Sequence, residues 1–418
     1  MKLLLNLFKI IIVWFFVIVI LILINNRYSK PKVGTKVVST RNLVDNIFAS
    51  FSVEEITPDT FCESWVDNDG DGIFNPLIDD FLDDNNNNKF DAIYLAGLNK
   101  GRAVKFIKDK LYLVVFLILA DQNFCIINYD GFGLSDQDIY RIKKNIKKRF
   151  NIENILFLPN RNYNMPDLLG YWGILNKGGI NKSYFQFFEF KIYEGIKNAL
   201  EEPKRFKLYE KKDKSRALLA YKLEFDNEDS LFILFTPKQF QRIYNNYIAT
   251  DYYNDIRLYL GNNVIFINYN KHNRNVDRRS IYSFIVDLKY DLGKVDTIDI
   301  HLINEDFYLS IFDFDYLLDF YSRKVKRDVY FFTDLKSNLQ FFCFNNNKIF
   351  LLNTEYFPLI DKKFVNLLGD RGRIFFVELS TDYLIRKDDD LFQKIVLKKL
   401  WDIEENFEVD LIQELESQ

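Results

Sequence analysis

The longest apolar run of the chain lies at its amino terminus and extends from Leu3 to Ile24, with Lys9 as its one charged position. A run of this length matches the roughly 20 residues that a helix needs to cross the hydrocarbon core of a bilayer. The residues that follow, Asn25 to Tyr28, do not form the small-residue site at which signal peptides are cleaved. We therefore predict an uncleaved transmembrane signal-anchor over residues 1–28, with a removed signal peptide as the alternative.

Basic residues flank this apolar run on both sides and allow two orientations. Lys2 precedes the run and Lys9 lies near its start, while five basic residues follow it: Arg27, Lys30, Lys32, Lys36 and Arg41. This bias alone would keep the body of the protein inside the cell. The acidic loops described below suit a compartment rich in calcium, so we predict a single-pass membrane protein whose body is periplasmic or otherwise extracytoplasmic. An intracellular body is the alternative.

Beyond the anchor, the composition of the chain varies along its length, but the sequence contains neither an internal repeat nor a low-complexity linker. Residues 29–53 begin with a polar stretch that contains Pro31 and Gly34, and they are predicted to be a tether. Residues 54–400 alternate strand-like and helix-like segments, which predicts a single large α/β domain with mixed β-sheets flanked by helices. Residues 401–418 are acidic and are predicted to be a terminal helix or a solvated tail.

The individual elements are predicted from short apolar runs for strands and from apolar residues at helical spacing for helices. Predicted helices follow Ser135, with Ile139, Ile142 and Ile146 on one face, and cover Ser183–Leu200 and Asp251–Leu260. The predicted strands are Leu111–Ala120, Phe124–Tyr129, Ile155–Leu158, Ala217–Phe225, Leu231–Phe235, Val264–Ile267, Thr297–Ile303, Val329–Phe332, Gln340–Phe344, Ile349–Leu352 and Ile374–Leu379.

Composition excludes several classes of function. The chain has 56 Lys and Arg residues against 59 Asp and Glu residues, and this net charge of −3 lacks the basic surplus of a nucleic-acid-binding protein. Two histidines cannot build a multi-histidine metal centre. Three cysteines without C-x-x-C spacing offer neither a disulfide framework nor a cysteine zinc site.

Two acidic loops have the spacing of a calcium site. Asp67, Asp69 and Asp71 followed by Gly72 make D-x-D-x-D-G, in which alternate carboxylates converge on one ion and the glycine permits the sharp turn. The carbonyl of Ile73, with the side chain of Asn75 or a nearby carboxylate, Asp79 or Asp80, would complete the shell. The position at which a full EF-hand carries glutamate is an isoleucine.

A second loop repeats the alternation 16 positions later. Its candidate ligands are Asp83, Asn85, Asn87, the carbonyl of Lys89, and Asp91, while Asn88 stands in the glycine position. Asparagine tolerates the left-handed conformation that this position needs. Both loops are predicted to bind calcium, and the alternative is a pair of solvated Asp/Asn turns.

The segments that follow these loops resemble a known family. Three segments resemble the amino-terminal domain of neutral/alkaline non-lysosomal ceramidases. They are Asn87–Gly101 (NNKFDAIYLAGLNKG), the strands and helix from Ile107 onward, which begin IKDKLYLVVFLILADQNFCIINYDGFG, and Pro159–Gly173 (PNRNYNMPDLLGYWG). The resemblance covers most of the chain from Glu54 and is best over Phe90–Gly173. It implies a ceramidase-like fold and descent from zinc amidases that cleave the N-acyl bond of a sphingolipid, ceramide.

The same resemblance implies that the zinc ligands have been replaced. Lys108 stands where the family has the histidine before Asp109, and Arg161 and Tyr163 stand in place of a histidine pair. The family glutamate corresponds to Glu355, while Tyr383 lies close to the position of the tyrosine ligand. One carboxylate is too few, because a catalytic zinc site uses three protein ligands. We predict a vestigial site formed by Lys108, Asp109, Arg161, Tyr163, Glu355 and Tyr383, without zinc.

These observations favour a membrane-anchored, ceramidase-like protein that has lost zinc-dependent amidase activity and serves as a binding or structural module of the envelope. Calcium is the expected cofactor, and a lipid or a polar small molecule is the expected kind of ligand. The alternative is an active lipid amidase with a rearranged site around Glu355, Asp109 and Lys108.

Overall fold

The computed structural model describes residues 6–17, 19, 36–59, 61–96, 99–134, 136–160, 162–170, 172–174, 179–213, 218–237, 246–250, 252–269, 278–288, 292–309, 335–344 and 375–378. Two compact units are distinguished. One comprises Val37–Ile303 with Gln340–Thr381, and the other comprises the remaining segments. The two sheets that pack face to face and the sites discussed below belong to the first unit.

The helices are α1 (residues 6–17), α2 (Asp136–Phe150), α3 (Lys182–Glu201), α4 (Tyr252–Leu260) and α5 (Arg278–Asp287). The strands are β1 (Lys36–Leu43), β2 (Phe48–Glu55), β3 (Trp65–Val66), β4 (Asp80–Phe81), β5 (Phe106–Ile107), β6 (Tyr112–Leu119), β7 (Phe124–Tyr129), β8 (Asn154–Pro159), β9 (Phe206–Asp213), β10 (Leu218–Phe225), β11 (Ser230–Pro237), β12 (Tyr247–Ile248), β13 (Val264–Tyr269), β14 (Gly293–Val295), β15 (Thr297–Leu309), β16 (Leu335–Phe344) and β17 (Phe375–Glu378).

Two sheets pack face to face, and helices cover their outer faces. The first sheet has the order β2-β6-β7-β8 and the second the order β13-β11-β10-β9-β14. Their facing side chains form one apolar core, whereas the opposite faces pack against α2 and α3 in the first sheet and against α4 and α5 in the second. The layers therefore run helix, sheet, sheet, helix. A third sheet has the order β1-β15-β16-β17.

Burial on both faces explains why the central strands are unbroken apolar runs. In β6, Val114, Phe116 and Ile118 face the second sheet, while the residues between them pack against the helices. Successive side chains of a strand point to opposite faces, and both faces are buried here, so apolar residues are favoured at every position. The predicted mixed α/β sheets with flanking helices are confirmed.

The two sheets share one order of elements, which the sequence pattern did not reveal. In the first, antiparallel β2, β6 and β7 are followed by α2, by β8 parallel to β7, and by α3. In the second, antiparallel β9, β10 and β11 are followed by α4, by β13 parallel to β11, and by α5. The body thus contains the same topological unit twice.

Three regions differ from the sequence predictions. Residues 29–53 were predicted to be a tether, but β1 and most of β2 lie there, and Ala49 belongs to the core. β9 and α5 were not predicted. In β9 only Phe206 and Leu208 face the core between charged residues, so its pattern is too polar to stand out. The predicted strands Val329–Phe332 and Ile349–Leu352 and the acidic tail lie outside the described residues.

α1 covers part of the predicted anchor, and most of its remainder lies outside the described residues. Among the residues that the structure describes, no helix combines the length and the apolar character needed to cross a bilayer.

Candidate functional site

The polar groups of the first sheet lie together at one end of its strands, which is called the sheet edge below. β7 and β8 are parallel and end there, while antiparallel β6 begins there. In open α/β sheets, the carboxyl ends of parallel strands are the usual location of functional groups. Asp109 precedes β6, Asp130 follows β7 and Asn160 follows β8. All three side chains are buried.

Asp109 connects the start of β6 to α4. Its carboxylate accepts hydrogen bonds from the backbone N–H of Thr250 at 2.7 Å and from Nδ2 of Asn254 at 3.0 Å. The backbone N–H of the neighbouring Lys108 donates to the carbonyl of Ile248 at 2.9 Å. Both predicted residues therefore attach the chain before β6 to the segment that leads into α4.

Asp130 lies at the centre of a buried ion-pair network. Arg257 of α4 donates to both of its carboxylate oxygens, and the two side chains are 2% and 0% exposed. The backbone N–H of Tyr112 donates to Asp130 at 2.7 Å, and Nδ2 of Asn160 is a further donor. The guanidinium of Arg257 also lies 5.3 Å and 5.1 Å from the ring centroids of Tyr112 and Phe266.

Tyr163 lies in the loop after β8, at the same edge of the sheet. Its ring is 5.9 Å from the ring of Phe132, and its carbonyl accepts a hydrogen bond from Arg102 at 3.3 Å. Three other residues of the predicted vestigial site, Arg161, Glu355 and Tyr383, lie outside the described residues. Lys108, Asp109 and Tyr163 share one sheet edge, but the contacts that hold Asp109 and Tyr163 in place involve different segments.

Sequence reasoning missed two buried arginines at this edge, Arg102 and Arg257. Arg102 donates to the carbonyl of Ala96 at 2.9 Å, and burial lowers its pKa to about 10. Arg257 had a detectable signal, because it shares helical spacing with the buried Tyr253 and Ile256. A charged residue on an apolar helix face indicates a buried ionic partner.

The first acidic loop brings its three aspartates together. The carboxylate oxygens of Asp67, Asp69 and Asp71 lie within 4.8 Å of one another. The backbone at Gly70 and Gly72 has positive φ angles of 74° and 76°, which glycine adopts without steric cost. Among the described residues, Oδ1 of Asp67 is buried without a hydrogen-bond donor.

Lys105 is the charged neighbour of the first loop. Its Nζ is 3.0 Å from Oδ2 of Asp67 and 4.1 Å from the ring centroid of Trp65. Burial tends to raise the pKa of Asp67, but the hydrogen bond and charge of Lys105 and the backbone N–H of Gly72 outweigh it. The pKa of Asp67 therefore lies below its ordinary value.

The second loop has the same backbone form without glycine. Asn86 and Asn88 occupy the two positions of positive φ, at 58° each, which confirms that Asn88 adopts the left-handed conformation. The carboxylate of Asp91 accepts hydrogen bonds from Nδ2 of Asn85 at 2.6 Å and of Asn87 at 2.8 Å. Asp83 accepts from the backbone N–H groups of Asn87 and Asn88. The candidate ligands of this loop therefore also converge.

The two loops are related by an approximate two-fold arrangement. β3 and β4 precede the two loops and pair antiparallel, with Trp65 opposite Phe81. Glu63, before the first loop, accepts from the backbone N–H groups of Asp84 and Asp91 in the second.

Asp79, before the second loop, accepts from the corresponding N–H groups of Asn68 and Asn75 in the first. Each loop is thus held by the carboxylate that precedes the other loop. Asp79, considered above as one of the neighbouring carboxylates that could complete the first site, instead holds the backbone of that loop.

Comparisons with known proteins give a structural likeness. No family model matches the chain, and no curated protein matches it. The crystal structure of neutral ceramidase from Pseudomonas aeruginosa is similar at a TM-score of 0.48 and 9% sequence identity, covering 75% of this chain and 63% of that chain. This chain thus spans less than two thirds of the length of that protein. A similarity of this size bears on the fold at most.

Proposed function

We propose that this protein is a ceramidase-like module without zinc-dependent amidase activity, and that it acts in the cell envelope by binding or by structural support. The observation that carries the proposal is the state of the carboxylates at the sheet edge. Asp109 receives two hydrogen bonds, and Asp130 receives an arginine, a backbone N–H and an amide. A carboxylate that binds a catalytic metal needs an oxygen free for it.

The charge at this edge also disfavours zinc. Arg257 places a permanent positive charge against Asp130, so the charge of this carboxylate is already balanced and is not available to balance that of a dication. The side chain of Lys108 is exposed, so it does not contribute to the charge inside this edge. The edge is suited to an internal ion pair rather than to a dication held by three protein ligands.

Turnover of fluorescent N-acylsphingosine by the purified full chain in detergent tests the proposal. We expect no turnover above the protein-free background, with or without added zinc, under conditions in which an active ceramidase cleaves the same substrate. Turnover that is lost in Glu355→Ala and Asp109→Asn but kept in the exposed control Asp59→Asn would instead establish a lipid amidase with a rearranged site.

We propose further that both acidic loops bind calcium. The proposal is supported by two carboxylate-rich loops of the same backbone form, by converging side-chain oxygens, and by Oδ1 of Asp67, which is buried without a donor. Oxygen ligands of this kind suit a hard cation. In the second loop, the amides of Asn85 and Asn87 would turn their oxygens toward the ion.

Calcium titration of the full chain tests this second proposal. Extracellular modules bind calcium with dissociation constants of about 10⁻⁴–10⁻³ M, and ligand at 100 times its dissociation constant stabilises a protein by about 2.7 kcal/mol. We expect two ions per chain by calorimetry and a rise in the unfolding midpoint. Asp69→Asn should remove one ion and Asn85→Ala the other, whereas Asp59→Asn should remove neither. Equal midpoints in calcium and in chelator would refute the assignment.

We propose that the apolar amino terminus anchors the protein in a membrane with its body outside the cytoplasm. The proposal is supported by the apolar run and by the exposure of Leu7, Phe8 and Trp14 on α1, since a contiguous exposed apolar surface marks an interaction site. Protease added to intact cells should digest the body, and it should digest an internal control protein only after lysis. Protection of the body in intact cells would support the intracellular orientation.

A further inference from the structure

The outer side of β2 is a strand edge with a single backbone partner. β2 ends the order β2-β6-β7-β8, and on its other side Ala49 exchanges two backbone hydrogen bonds of 2.9 Å with Lys204. Lys204 lies between α3 and β9, so the chain touches the edge at this one pair and then moves away.

The hydrogen-bonding groups beyond this pair point outward. Hydrogen bonding alternates along an antiparallel strand, so residues that bond one neighbour alternate with residues that face the other side. Ala49 bonds outward to Lys204, and Ile56 bonds inward to Leu111. The backbone N–H and C=O groups of Phe51 and Val53 therefore face outward, and within the described residues no other strand pairs with them.

A cavity of about 400 Å³ lies along this part of the edge. Its floor is residues 50–53 of β2, one wall is the end of α3 with Glu201 and Glu202, and the opposite wall is the turn between β10 and β11 with Asp229. The volume falls within the range of roughly 300–1,000 Å³ that is typical of ligand pockets.

A buried hydroxyl in the floor lacks a partner. Ser50 is 5% exposed, and its Oγ has no hydrogen-bond partner among the residues that the structure describes, although the neighbouring Ser52 donates to the carbonyl of Gly195 at 2.9 Å. Buried polar groups are nearly always hydrogen-bonded, and an exception calls for an explanation. A ligand in the cavity would supply the missing partner.

The walls are acidic. Glu201, Glu202 and Asp229 are exposed and line the cavity, whereas Lys204 is the one basic residue among its lining residues and pairs with Glu202 at 2.9 Å. The cavity therefore carries a negative excess on both sides of the strand edge. Side chains on either face of an added strand would meet carboxylates.

We propose that this cavity binds an extended peptide segment rich in lysine or arginine, which adds a strand to the edge of β2. The peptide backbone would pair with Phe51 and Val53, its cationic side chains would meet the acidic walls, and Ser50 would gain a hydrogen-bond partner. In strand addition of this kind, backbone hydrogen bonds supply affinity and side-chain pockets supply specificity. The inference is independent of the calcium and amidase proposals.

Four labelled peptides test the proposal on the full chain in detergent. They are acetyl-Lys-Lys-Val-Lys-Lys-amide, which carries lysine on both faces of a strand, the same peptide with its lysines replaced by glutamates, and two forms of the lysine peptide that are N-methylated at alternate residues, one for each possible register. Fluorescence anisotropy should show binding of the lysine peptide and at least ten-fold weaker binding of the glutamate peptide and of one N-methylated register. Equal binding of the lysine peptide and both N-methylated forms would overturn strand addition.

Variants and hydrogen exchange locate the site. Glu201→Gln combined with Asp229→Asn should weaken binding of the lysine peptide by about two- to thirty-fold, because each exposed ion pair contributes a fraction of a kilocalorie. Glu228→Gln lies in the same turn but outside the cavity and should leave binding unchanged. The bound peptide should slow amide exchange at Phe51 and Val53. Unchanged exchange at both residues in the saturated complex would overturn the assignment.

Discussion

Removal of Arg257 tests whether the network around Asp130 holds the sheet edge together. Both side chains of the pair are almost fully buried, so Arg257→Met would leave a buried carboxylate with only the donors from Tyr112 and Asn160. Breaking a buried ion pair by removing one partner costs about 3–5 kcal/mol, because the remaining charge is uncompensated. The variant also loses the contacts of the guanidinium with two aromatic rings.

Urea unfolding of the full chain in detergent, followed by tryptophan fluorescence and far-UV circular dichroism, measures this cost. Asp130→Asn in the Arg257→Met background removes the uncompensated charge, so the double variant should be about 2 kcal/mol more stable than Arg257→Met alone. Lys110→Met is the control, because the pair of Lys110 with Glu55 is exposed and should contribute nothing measurable. A loss below about 1 kcal/mol in Arg257→Met would refute the reasoning.

Three further predictions concern packing, reactivity and pH. In Gly195→Ala, the added Cβ would lie 2.8 Å from Cγ2 of Val115, so we expect a loss of about 1–3 kcal/mol in urea unfolding. Cys125 is buried and burial raises its pKa, so its thiol should resist Ellman's reagent until the protein unfolds, as peptide mapping would show. Because the pKa of Asp67 is lowered in the folded protein, this residue adds to the free energy of unfolding at pH values above its ordinary pKa of about 3.9. This contribution should disappear as the pH falls through the lower pKa of the folded state. The loss should be smaller in Lys105→Met.

The sequence pattern identified the elements whose side chains are buried on both faces. β6 and β7 are continuous apolar runs because one face packs on the second sheet and the other on helices. α3 was predictable because Phe185, Phe188 and Ile192 recur at helical spacing on its buried side. β9 was missed because only Phe206 and Leu208 face the core, between charged residues. α5 was missed although Ile281, Phe284 and Ile285 recur at helical spacing on its buried side.

The positions of positive φ in the acidic loops were predictable from the sequence, whereas the mutual support of the two loops was not. Alternating Asp and Asn residues reveal a loop that can surround a cation, and glycine or asparagine marks the positions of positive φ. Glu63 and Asp79 lie outside that pattern, and only the pairing of β3 with β4 brings each of them to the other loop. Long-range contacts of this kind depend on topology rather than on local spacing.

The polar residues at the sheet edge that carries Asp130 join segments of the chain to one another. The contacts of Asp130 come from α4, from the start of β6 and from the chain after β8, so one carboxylate joins three segments. A general base or a metal ligand must keep an oxygen accessible to substrate or ion, and a carboxylate with this many donors serves cohesion instead. The cavity beside β2 has the opposite character, since its strand edge and the hydroxyl of Ser50 have open hydrogen-bonding capacity. A ligand of this protein should therefore be sought first along the lateral edge of β2, and only then at the strand ends where Asp130 lies.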